Sequence, residues 1–354
     1  MQIRMNSAEN AIRTTAPGDV LTTDQLMEAW RRCEPIEFGD PVLAHVKFSH
    51  CGEFFPLGFP VSIATNLPEV LSAAEQSWGR FTQQFDTETI RIQVGITPTK
   101  SRQCPATPTC RMRDHLITSI ADGENFTLSD LSERSSVIWA TEAALRDSEY
   151  FRYFFLECAA MANISASCAT AIHAACVAMA GEGVLLCGDS GAGKSTLSYA
   201  CARAGWTYIT DDASFLVSKS NDGMVAGNCH QVRFRPSAET LFPELSGLTI
   251  MNRAGVGKPS IEFPTERQIT LATSTRVKHI VFLRRNVSVQ ELVPYPRPVA
   301  RLFMRQRVHC MPYRTSLHLA AIDRLLTREV YELRYNELDW AVDRLESLIH
   351  DDAL

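Results

Sequence analysis

Gly183-Val184-Leu185-Leu186-Cys187-Gly188-Asp189-Ser190-Gly191-Ala192-Gly193-Lys194-Ser195-Thr196 decides the reading of this chain. Gly183 to Cys187 reads as an apolar strand, and the next eight residues match G-x-x-x-x-G-K-[ST] in full. Lys194 to Ala204 then reads as a helix that stops at Gly205. With glycine near 7% of average sequence, such a match arises by chance in roughly one chain in a hundred of this length. Strand, loop and helix in that order are also the context the motif requires.

The residue types explain what the stretch can do. Gly188, Gly191 and Gly193 allow backbone angles closed to other residues, so main-chain N–H groups through Asp189, Ser190 and Ala192 can converge on a phosphate. The helix beginning near Lys194 adds its positive end. Lys194 supplies a mobile charge for the β- and γ-phosphates, and the Ser195 hydroxyl follows at the position that ligates Mg²⁺. Thr196 completes the expected nucleotide-binding stretch, and the expected cofactors are ATP and Mg²⁺.

Working outward, Trp206 to Thr210 reads as a strand ending in Asp211-Asp212, at the carboxyl edge where open α/β sheets bind ligands. One of two adjacent carboxylates there can hold Mg²⁺ while the other takes the proton from an attacking hydroxyl. Because Ala213 to Ser218 reads as a strand, a helix-capping role for the pair is disfavoured. His173 lies just ahead of the strand that precedes the loop, and by itself reads as a core histidine. Asn228 to Arg235 reads as a strand whose Arg233 and Arg235, with His230 beside them, either neutralise a transferred phosphoryl group or form surface ion pairs.

The remaining chain suits two domains, because 354 residues are too many for one small core. We expect a mixed α+β unit over residues 1 to 145 and the nucleotide-binding α/β unit over residues 146 to 354. In the first, Thr23 to Cys33 and Leu67 to Trp78 read as helices. Val42 to Phe48, Pro60 to Ala64, Thr89 to Ile96, Arg111 to Ile117 and Ser135 to Thr141 read as extended, with a Pro-rich loop over Thr97 to Thr109. Thr141 to Asn163 reads as one long helix whose Tyr150, Phe151, Tyr153, Phe154 and Phe155 belong to a core.

Several function classes are disfavoured by composition. A net charge of −5 with scattered Lys and Arg gives no footprint for nucleic acid. Cys158 to Gly181 contains no charged residue, yet its Ala, Ser and Cys content fits a buried helix running into a buried strand better than a membrane span. Met1 to Asp24 lacks the apolar core of a secretory signal, so a cytoplasmic protein with its 11 cysteines reduced is expected. Cys104 and Cys110 do not have zinc-finger spacing.

Taken together, His173, the strand Gly183 to Cys187, the loop Gly188 to Ser195 and the pair Asp211-Asp212 resemble the catalytic domain of bacterial HPr serine kinase/phosphorylase. The likeness spans Ile172 to Arg235, with an echo in Val330-Tyr331-Glu332-Leu333-Arg334-Tyr335 and the amphipathic helix after it. It implies a catalytic domain similar in fold to phosphoenolpyruvate carboxykinases. It places Asp212 as proton acceptor, Asp211 as its acidic, metal-side neighbour, His173 as the catalytic histidine, and Lys194 and Ser195 at the nucleotide and Mg²⁺ positions. Two features depart from the family. Thr196 replaces an acidic residue, and Arg233-Phe234-Arg235-Pro236 with Glu239 stands where the family has its metal-binding glutamate segment, so reverse phosphorylase activity is not expected.

The leading expectation is an ATP-dependent kinase acting on a Ser or Thr hydroxyl of a protein or peptide, with residues 1 to 145 helping to select the acceptor. A small-metabolite acceptor and a non-catalytic ATP-sensing module are the alternatives. A homo-oligomer is compatible with the sequence, which specifies neither assembly nor a preference for ATP over GTP or pyrophosphate.

Overall fold

Ile90, Ile92 and Val94 alternate with exposed residues along one strand, and that period of two orients a seven-stranded sheet with one face on a core. The computed structural model describes residues 12–13, 22–32, 36–37, 46–218, 222–234, 238, 240–245, 250–251, 260–262, 269–308 and 313–351. The first sheet comprises β1 (His50–Phe54), β2 (Val61–Thr65), β3 (Ile90–Thr97), β4 (Thr109–Arg113), β5 (Leu116–Ile120), β6 (Phe126–Asp130) and β7 (Ser135–Thr141). Its order is β1-β2-β3-β7-β6-β5-β4. Strands β2, β3 and β7 are parallel, and helix α1 (Pro68–Trp78) makes the crossover between β2 and β3. Pro68 at the first turn of α1 suits a position whose N–H needs no helical partner.

The second sheet carries β8 (Ala169–Ile172), β9 (Ala175–Met179), β10 (Glu182–Cys187), β11 (Thr207–Thr210), β12 (Ser214–Val217), β13 (Met224–Gly227), β14 (Ser274–Arg285), β15 (Glu291–Pro294) and β16 (Glu329–Tyr335). The order β8-β12-β13-β14-β10-β9-β11 is extended by β16 beside β14 and β15 beside β16. Helices α2 (Lys194–Arg203) and α5 (Leu338–Asp351) join a core with Leu186, Tyr208 and Leu333, whereas α3 (Arg297–Val308) and α4 (Thr315–Leu325) cover Leu185, Ile280 and Phe282. The strands of this sheet are apolar on both faces, as covered parallel strands are.

The expected single strand over Arg111 to Ile117 is instead a hairpin. Asp114, at φ 54°, turns the chain between β4 and β5. The expected long helix from Thr141 to Asn163 is broken into Glu142–Arg146, Ser148–Phe151, a π-helical Arg152–Glu157 and Cys158–Asn163. Asp147 leaves helical geometry at ψ 87°, and its carboxylate accepts the Tyr150 N–H at 3.0 Å, which starts the next turn. Its aromatics Tyr150, Phe151, Phe154 and Phe155 are buried. For the strand expected over Val42 to Phe48, residues 42–45 lie outside the described set, residues 46–49 are irregular, and pairing begins at His50.

The uncharged run from Cys158 to Gly181 becomes a helix, a second π-helical segment (Ile164–Cys168), β8 and β9, all largely buried. Among the described residues, no helix is long and apolar enough to cross a membrane.

Candidate active site

Strands β10, β14 and β16 are mutually parallel, so Cys187, Arg285 and Tyr335 end at one edge of the sheet. Strand β9 is antiparallel to both β10 and β11, which points β11 the same way and brings Asp211-Asp212 to that edge.

His173 reaches the same place through an interrupted ladder. Ile172 pairs with Ser214 and Cys176 with Thr210, and both pairs fall on a single antiparallel register. Residues 173–175 and 211–213 therefore form a gap in one ladder, where side chains and peptide groups are released from pairing with each other. The site sits in that gap.

The loop after β10 is fixed by glycine and braced from β16. Gly188 adopts φ 144°, and a Cβ there would stand 3.0 Å from the Ala192 Cβ and 3.3 Å from the Leu283 carbonyl. Gly193 adopts φ 98° at the N-cap of α2, and a Cβ there would overlap the Tyr335 hydroxyl and lie 3.1 Å from Arg285 Cδ. The Tyr335 hydroxyl donates to the Ala192 carbonyl at 3.3 Å. Asp189, Ser190 and Gly191 are exposed on the loop, while Lys194 is buried at its base. Lys194 Nζ donates to the Gly188 and Asp189 carbonyls at 2.7 and 3.0 Å. An ammonium pooled with loop carbonyls in this way is poised to exchange them for a bound anion. Thr196 is half-buried one position into the helix beyond Ser195.

The two aspartates occupy different environments. Asp211 is buried, accepts the Arg233 main-chain N–H at 2.9 Å, and lies close to the Ser195 side chain. Burial raises its pKa from 3.8 to about 6, against the lowering effect of the Arg233 N–H and of Ser195, with the Asp212 charge adding to the rise. Asp212 is 28% exposed and is held on both sides. Its Oδ1 lies 3.4 Å from His173 Nδ1, and its Oδ2 accepts from Arg233 Nη1 at 3.0 Å.

These residues fit a magnesium ion. The Ser195 hydroxyl and the Asp211 carboxylate form an oxygen-only pair, and burial without a full counter-charge pushes that carboxyl toward protonation. Among the described residues, no three His, Cys, Asp or Glu side chains form a metal cage. Mg²⁺ needs none, because it binds through one or two protein oxygens and takes its other ligands from water and phosphate.

The structure thus gathers His173, the loop from Gly188 to Ser195, Asp211, Asp212 and Arg233 into one cluster. Arg235 and Glu239 lie outside the described residues. His230 is half-buried on the flank of the cluster, with Phe81 of the first sheet's half edge-on at 4.7 Å.

A cavity of about 170 Å³ opens beside the aspartates. Asp211, Asp212, His230 and Arg233 line one side, and Ser77, Arg80, Arg152 and Glu157 line another. No local signal marks those last four, which lie far from the loop in the chain and share no motif with it. The exposed arginine Arg285, beside Gly193, was likewise invisible, because its place depends on β14 lying next to β10.

No family model matches the chain, and no curated protein sequence matches it. Among solved structures, an HPr(Ser) kinase/phosphatase from Coxiella burnetii aligns over 52% of this chain and 96% of that chain, with a TM-score of 0.28 and 12% identity. A likeness that slight carries no weight for fold or function, which rest here on the geometry above.

Proposed function

We propose that the protein is a P-loop phosphotransferase of HPr kinase-like type, with a phosphoenolpyruvate carboxykinase-like catalytic domain over residues 146 to 354 and an acceptor-selecting unit over residues 1 to 145. It moves the γ-phosphoryl group of ATP to an acceptor hydroxyl. The observation that carries this reading is the buried Asp211 next to Ser195 at the foot of the phosphate loop, beside a separate, more exposed Asp212 held by His173 and Arg233.

Each residue has a distinct task. Main-chain N–H groups from Gly188 to Ser195 and the Lys194 ammonium hold the β- and γ-phosphates. Ser195 and Asp211 would hold Mg²⁺, which when bound neutralises charge on the phosphates. Asp212 accepts the proton from the acceptor hydroxyl, and His173 and Arg233 fix its orientation. Arg233 also lies where a guanidinium can face charge on the transferred group.

Replacing Asp212 by Asn keeps the shape and removes the base. We expect phosphotransfer from γ-labelled ATP to fall by about 10²- to 10⁴-fold while ATP affinity stays unchanged, as loss of general-base catalysis requires. Undiminished transfer in that variant would remove Asp212 from the mechanism.

A further inference from the structure

The cavity beside Asp212 says what kind of molecule carries the acceptor hydroxyl, given that the phosphotransferase reading holds. Its volume of about 170 Å³ exceeds what a Ser or Thr hydroxyl alone would fill. It is close to the ~150 Å³ of an engineered cavity that admits benzene. A molecule of roughly six to ten non-hydrogen atoms fits such a space.

The lining is more apolar than polar, and its polar groups are concentrated on two facing walls. Arg152 Nε donates to Ser77 Oγ at 2.9 Å and its Nη1 to Gln76 Oε1 at 3.2 Å, while Ser77 Oγ donates to Glu157 Oε1 at 3.0 Å. Arg152 and Glu157 both lie in the π-helical segment, a helix form that recurs at functional sites because it re-aims side chains. Arg80, at the end of α1, lines the same space. Two guanidinium groups against one carboxylate leave this wall with one net positive charge, while the opposite wall sets Asp211 and Asp212 against Arg233, with Asp211 on the side assigned to Mg²⁺. His230 faces the same space, with its ring edge-on to Phe81. Leu57, Trp78, Phe81 and Met161 are among the apolar residues that make up the larger share.

We propose that this cavity is the acceptor site and that the acceptor is a small hydroxylated monoanion, a hydroxy acid in chemical class, rather than a side chain of a folded protein. Arg80 and Arg152 face its anionic group, and Asp212 faces its hydroxyl. The hydroxyl oxygen forms a bond to the γ-phosphorus as the bond from that phosphorus to the bridging oxygen breaks. ADP leaves with the electron pair, and the hydroxyl proton passes to Asp212. The products are a phosphate monoester of the hydroxy acid, ADP and a proton.

The test uses full-length protein with Mg²⁺, γ-labelled ATP and a cell extract divided by ultrafiltration into low-mass and protein fractions. Glycerate and glycerol serve as defined probes of charge. Label is expected in the low-mass fraction, and glycerate, by competing with the extract's acceptor or by taking the label itself, is expected to change the labelled product where glycerol does not. Arg152→Gln should lower that labelling about tenfold or more, the usual cost of a lost charge-assisted hydrogen bond. Because Arg152 also holds Ser77 and Gln76, Arg80→Gln is run beside it, with Mg·ATP affinity as the measure of intact folding. Label confined to the protein fraction, or low-mass labelling indifferent to both substitutions, overturns the acceptor class and leaves the phosphotransferase reading standing. ATP bound with label in neither fraction overturns both.

Discussion

The phosphate loop and the cavity roof share two aspartates yet are built in opposite ways. Eight consecutive residues, Gly188 to Ser195, make the loop, and its working groups are main-chain amides fixed by positive φ angles and by Tyr335. The roof is made of side chains from positions 56–57, 76–81 and 152–161, joined only by the first sheet and its helices. A site built from backbone depends on where glycine is allowed. A site built from side chains depends on which elements the fold brings together. The two should therefore respond differently to substitution.

The largest effect is expected at Gly193. Adding a Cβ forces a residue with φ 98° against the Tyr335 hydroxyl, so Gly193→Ala should destabilise the fold by about 1–3 kcal/mol and weaken Mg·ATP binding. Tyr335→Phe in the same background should restore part of the melting temperature, because it removes the atom nearest the added carbon. If Gly193→Ala melts like the wild type, the loop is not backbone-built in the way described.

A smaller effect is expected from pH. The Asp211 pKa, about 6 in the folded chain against 3.8 ordinarily, makes the metal-free folded protein hold a proton that the unfolded chain releases. That proton favours folding at acid pH, and its contribution is lost as pH rises through about 6. Magnesium must displace it. Mg·ATP affinity measured by titration calorimetry should be constant above about pH 7 and fall roughly tenfold per unit below about pH 6. Asp211→Asn should flatten that slope. A slope unchanged in the variant would move the titration to another group.

The smallest effect belongs to the roof. Ser77→Ala removes the hydroxyl that joins Arg152 to Glu157, a half-buried contact, so stability should change by about 1 kcal/mol or less. Steady-state kinetics should show a several-fold rise in the KM for the acceptor with ATP affinity unmoved. Loss of ATP affinity in Ser77→Ala would erase the distinction between the two regions.

That distinction also explains what could be read before folding. The loop, its flanking strand and helix, and the aspartate pair were legible because local sequence dictates each of them. The helix from Pro68 and the strands at Val61, Ile90 and Ser135 were legible from periodicity. The break at Asp147 was not, because one capping hydrogen bond to Tyr150 overrides a continuous helical pattern. The short strand β8 was hidden inside an uncharged run with helix-like composition, and β6 was hidden among turn residues. The pairing of His173 with Asp212 rests on a ladder between segments about forty positions apart, which no local signal announces. Arg80, Arg152 and Glu157 converge only when α1 packs against the π-helical segment beside the first sheet.

The most direct measurement is calorimetric titration of the wild-type protein with Mg·ATP, repeated with Lys194→Ala. Saturable uptake at micromolar concentration is expected for the wild type, weakened by about 100-fold or more when the buried ammonium is removed, in line with the worth of charge-assisted phosphate contacts. No heat of binding in the wild type, or equal affinity in the two proteins, would contradict it.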